Sequence, residues 1–156
     1  MKALLQNPWV AIPVRFALGC IFMFSAWPKI VDPPAFAQMV ANYKLLPEAM
    51  ISSVAIALPW LEMATGAALV FGVLRRGASL WIAVMLVVFI VALSTNIARG
   101  IAVDCGCFSV TASLKSHEEM IKAMKLDLAR DAGMLAMAIF TFLSPVSWQR
   151  VESSTG

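Results

Sequence analysis

The chain has 156 residues, of which 61% are hydrophobic and only 13% charged, with a formal net charge of +3 and a mean hydropathy of +0.84. A soluble domain of this size carries about a quarter charged residues, so too little polar surface is present to keep it in water. The few basic residues are scattered through short connections and ends, with no basic run interleaved with aromatics, which argues against a nucleic-acid partner. The composition describes a single membrane domain, residues 1–156, with the lipid bilayer as its solvent.

The first apolar stretch, about Pro8 to Trp27, is longer than the hydrophobic core of a signal peptide and lacks a small-x-small cleavage site, so it reads as a retained span. It holds Pro13 near its start, Arg15 inside it and Cys20 near its middle, the last expected to pack as a small residue. Asp32-Pro33-Pro34 then suits the cap and first turn of a short helix over Ala35 to Tyr43, stopped by Pro47.

A second span is predicted at about Ile51 to Val73, carrying Pro59 and Glu62, and a third at about Ala78 to Ala98, with no charge at all. The turn between them bears Arg75 and Arg76. Ser116-His-Glu-Glu119 fits a capping box opening a helix to about Arg130. Met120, Ile121, Met124 and Leu128 share one face of that helix, opposite Glu118, Lys122 and Lys125, the pattern of a helix lying in the interface plane. A fourth span of about Ala132 to Trp148 completes the expected fold: an all-α integral membrane four-helix bundle with short interfacial helices in its two extracytoplasmic loops.

Between the third span and the capping box the chain reads Arg99-Gly-Ile-Ala-Val-Asp-Cys-Gly-Cys-Phe108. Cys105 and Cys107 close a disulfide only if the backbone turns sharply, which Gly106 permits, and a small strained ring is readily reduced. Such a pair suits thiol–disulfide exchange. Arg99 favours thiolate formation while Asp104 disfavours it at Cys105, which makes Cys107 the more reactive thiol. A closed zinc site needs four ligands, and His117 is the one further soft candidate, so no metal is expected.

Charge counts leave the topology open; the thiols decide it. A cycling pair belongs on the oxidising, extracytoplasmic side, which puts both termini in the cytoplasm. Counting along the helices then places Glu62 near mid-bilayer and Arg15 about 10 Å from the cytoplasmic face, depths that allow the two to pair. Other readings of these two charges are a proton relay through Glu62 or an anchor for a quinone head group. Asn96, Lys29, Arg99, Arg130 and Asp131 are expected to ring the outer end near the thiols, several of them snorkelling or capping.

Arg15 with Gly19, Lys29 with Asp32-Pro33, Leu46-Pro47, Leu58-Pro-Trp-Leu-Glu62 with Gly66 and Gly72, Asn96, Arg99-Gly100, Asp104-Cys-Gly-Cys-Phe108 and Arg130-Asp131 occur in an order that resembles the MauE/DoxX family of small redox-associated membrane proteins. The resemblance covers roughly residues 10 to 147, and Asp-Cys-Gly-Cys-Phe is its most specific part. It implies a four-helix bundle in the bacterial inner membrane. The MauE side implies maturation of the methylamine dehydrogenase small subunit, a disulfide-dense periplasmic protein, and the DoxX side implies thiosulfate–quinone electron transfer. The expectation is therefore a membrane thiol–disulfide oxidoreductase in which Cys105 and Cys107 exchange with a periplasmic thiol protein, a thioredoxin-like or disulfide-rich client, and a quinone is the candidate cofactor. The alternatives are a non-enzymatic assembly scaffold with structural thiols and, less favoured, a small transporter using Arg15 and Glu62.

Overall fold

A computed structural model describes residues 7–101 and 117–144. They form five helices: α1 Pro8–Val31, α2 Pro33–Asn42, α3 Glu48–Phe71, α4 Arg75–Ala98 and α5 His117–Leu143. Three of them, α1, α3 and α4, are long and apolar enough to cross a membrane, and only 33% of the most apolar stretch of each is buried within the protein. The remainder is exposed and apolar, as with Phe24, Trp60, Phe71 and Val88, which is how a helix facing lipid differs from one facing water. The chain is a membrane protein.

Local chemistry explains the boundaries. The Asn7 side chain accepts from the Trp9 N–H at 3.0 Å and Pro8 opens α1 with a preset φ. Asp32 ends α1 and begins α2 at once: its N–H donates to the Pro28 carbonyl, while its carboxylate accepts from Ala35 N at 3.1 Å. Gly72, at φ 75°, closes α3 in the left-handed conformation.

The helices pair off. α1 packs chiefly on α3, and α4 on α5, with α2 laid against α3. The α1–α3 crossing is close: a Cβ on Gly19 would sit 2.7 Å from the Gly66 carbonyl oxygen, and one on Gly66 would sit 2.8 Å from that of Gly19. The main core joins Leu18 and Phe22 of α1, Leu69 of α3, Ile82 and Leu86 of α4 and Ala138 of α5.

One expectation about organisation is overturned. The interfacial helix of about 117–130 and the start of the fourth span are a single helix, His117–Leu143, with no break where charge gives way to apolar sequence. Ala129 to Ala132 contains no helix breaker, Gly133 is tolerated in open space, and Pro145 lies beyond the described residues. Cys20 is likewise not a packing residue; it is exposed on the outer face of α1.

Candidate functional site

Cys105, Cys107 and Asp104 lie outside the described residues, but the helix end that leads to them is defined. Arg99, exposed, caps α4, and Gly100 at φ 68° turns the chain away from the helix axis. The Ile101 N–H returns to the Asn96 carbonyl at 3.0 Å, closing the turn.

Within the bundle, three of the four buried charged residues among those described, Lys29, Glu62 and Asp131, lie together, and Arg15 stands apart. The Lys29 ammonium, on a residue 1% exposed, donates to both oxygens of Glu62 at 2.7 and 2.9 Å, and Ser25 Oγ lies 3.4 Å away. The rings of Phe36 and Phe89 flank the ammonium, with centroids at 5.3 and 5.6 Å, so cation–π attraction supplements the ion pair. Arg130 bonds Asp127 at 3.0 Å and Asp131 at 3.3 Å. Lys29, Glu62, Arg130 and Asp131 all line one cavity of about 30 Å³, room for a water molecule among polar partners. Two cations and two carboxylates from α1, α3 and α5 therefore meet at one point, inside a chain whose spans are otherwise almost uncharged.

This arrangement corrects two expectations. Glu62 pairs with Lys29, not with Arg15, and Lys29 is buried rather than snorkelling at the rim. The cause is helix register. Gly19 lies against Gly66 and Val70, so Arg15, one turn earlier, is level with the Gly72–Arg75 turn and remote from Glu62. The spans do not start level with one another, so equal counts from their first residues do not reach equal depths. Arg15 is nonetheless buried, at 4% exposure.

The inward position of Lys29 was missed, and the signal for it was spacing from Arg15 along one helix face. The buried positions of α1, namely Ala11, Arg15, Leu18, Phe22, Ala26 and Lys29, recur every three or four residues as one stripe. Ser25, Phe36 and Phe89 carried no such signal, because their role depends on which helices pack together.

Asn96 stands apart from the charged cluster. It is fully buried, and among the described residues neither atom of its side-chain amide has a hydrogen-bond partner. A buried amide left in this state costs about 1–3 kcal/mol. Asn96→Leu, similar in shape, is therefore expected to raise the melting temperature of the protein in nanodiscs; a fall would show that the amide holds a partner.

A second cavity, apolar and about 340 Å³, opens between α2, α3 and α4. Phe36 and Phe89 line it, so the two rings that cover Lys29 also form part of its wall.

Among the described residues, no group of three or more His, Cys, Asp or Glu is placed to hold a metal ion. No solved structure matches the chain. Comparison with protein families matches residues 7–144 to the family described as methylamine utilisation protein MauE. The methylamine utilization protein MauE of Methylorubrum extorquens is 36% identical over 150 residues, 94% of this chain and 76% of that protein. That of Paracoccus versutus is 33% identical over 140 residues, covering 89% and 72% of the two chains. That of Methylophilus methylotrophus is 34% identical over 108 residues, 69% of this chain but only 57% of the relative. These matches carry the MauE side of the resemblance and not the DoxX side. With the family matched over nearly the whole bundle, from the cap of α1 to the end of α5, the chain belongs to the MauE family.

Proposed function

We propose that this protein is a thiol–disulfide exchange protein of the bacterial inner membrane that supports maturation of a disulfide-rich periplasmic client in methylamine utilisation. One observation carries the reading: the Cys105-Gly-Cys107 pair follows the closed end of α4 by only a few residues, in a chain whose relatives bear the name of that process. In this reading α5 crosses as a fourth span. Its 27 residues extend about 40 Å, its charged first half standing at the outer end, and both termini face the cytoplasm.

The exchange step balances between the two proteins alone, and turnover needs a two-electron oxidant, for which a quinone is the candidate. Oxidation of Cys105 and Cys107 to a disulfide releases two electrons and two protons, and reduction of the ring by a client dithiol returns them as the client gains its disulfide. A quinone reduced to quinol takes up the same two electrons and two protons. The apolar cavity between α2, α3 and α4 is of a kind to take an isoprenoid tail, and the Lys29–Glu62 and Arg130–Asp131 cluster offers proton-binding groups behind its aromatic wall. Arg99, at the helix end nearest the thiols, is the residue assigned to favour the thiolate.

Thiol alkylation with a mass-shift reagent in intact and permeabilised spheroplasts tests this. One of the single variants, Cys105→Ser or Cys107→Ser, is expected to trap a mixed disulfide with a partner, and the wild-type thiols are expected to be reachable from the periplasm. Thiols that stay reduced and react only after permeabilisation would sink both mechanism and topology. A double Ser variant that still matures its client would identify a scaffold instead.

A further inference from the structure

Among the described residues, the end of the bundle where α1 begins and α3 turns into α4 carries charge of one sign. Arg15, buried between helices, is brought level with Arg75 by the packing of Gly19 against Gly66 and Val70. Arg75 is half-buried and donates from Nη1 to the Ser144 carbonyl at 3.1 Å, which fixes it beside the end of α5; Arg76 next to it is exposed. The helix starts at Pro8 and Arg75 open at this end, where α3 and α5 also finish, so the helix dipoles offset one another and the positive charge is that of the arginines. Residues 7–31, 63–101 and 132–144 contain no Asp or Glu, so among the described residues the acidic side chains belong to mid-bundle or to the opposite end.

Guanidinium groups recognise phosphate through paired N–H donors. Depth selects the source of the phosphate. The register set at Gly19 and Gly66 brings Arg15 level with the α3–α4 turn, at the end of three apolar spans, where phospholipid headgroups lie. We propose that Arg15 and Arg75 bind the phosphate of an anionic phospholipid headgroup. Arg76, exposed beside them, strengthens the field that draws the lipid in.

The test uses the full chain in phosphatidylcholine nanodiscs with and without phosphatidylglycerol. Phosphatidylglycerol is expected to raise the melting temperature of the wild type but not of Arg15→Gln/Arg75→Gln. Retention of phosphatidylglycerol after delipidation, read by lipid mass spectrometry, is expected to fall about fivefold for each arginine removed. Arg75→Lys is expected to keep part of that retention, and Lys122→Gln/Lys125→Gln, at the opposite end, all of it. Should the double variant not fold, Arg75→Gln alone carries the comparison. The proposal is overturned if the two lipids stabilise the wild type equally or if the arginine variants keep the increment. It is also overturned if inorganic phosphate reproduces the increment in phosphatidylcholine alone, which would make this a site for a free anion.

Discussion

Glu62→Leu is expected to destabilise the protein by about 3–5 kcal/mol, because it leaves the Lys29 ammonium charged and uncompensated between α1, α3 and two phenyl rings. Lys29→Met strands the Glu62 carboxylate and is expected to cost a similar amount. The double variant is expected to recover most of the loss, since two apolar side chains of similar volume need no counter-charge. Unfolding midpoints of the four proteins in one lipid composition complete the cycle. Additive losses would show that the two side chains are stabilised by other partners and that their 2.7 Å contact carries little.

The second large effect is steric. Gly19→Ala places its Cβ 2.7 Å from the Gly66 carbonyl oxygen and 2.8 Å from Val70 Cγ2, and Gly66→Ala meets the Gly19 carbonyl and Met23 Cγ in the same way. A backbone oxygen cannot step aside as the end of a side chain can, so α1 and α3 must separate, at a cost of about 1–3 kcal/mol for each change. The two losses are expected to be less than additive, because one separation relieves both contacts. Gly133→Ala is the control. Its Cβ would meet nothing within 4 Å, and in mid-helix it is expected to raise the unfolding midpoint. An unchanged midpoint for Gly19→Ala would mean that the crossing is not held close.

The three long apolar helices were legible in the sequence because a length of uninterrupted apolar residues is a direct physical requirement of a bilayer. The start of the short helix α2 was legible too, since Asp32-Pro33-Pro34 specified it within two residues. The unity of α5 was not, since Arg130-Asp131 looks like a boundary when hydropathy is followed and like ordinary helix when backbone propensity is followed; here propensity decided. The charged cluster was half legible. Lys29, Glu62, Arg130 and Asp131 could each be picked out as unusual, but their meeting depends on the offset that the Gly19–Gly66 contact imposes, which no span-by-span count contains. Cys105 and Cys107 remain a reading of sequence and family.

The contact of Gly19 with Gly66 and the ion pair of Lys29 with Glu62 fasten the same two helices at points about 15 Å apart along α1. Two fixings on one pair of rods remove both sliding and swivelling, so α1 and α3 behave mechanically as a single beam. Any displacement that opens or closes the bundle must then be taken up by α4 and α5 moving against that beam, and the apolar cavity, walled by α3 on one side and α4 on the other, is the seam along which such movement is felt.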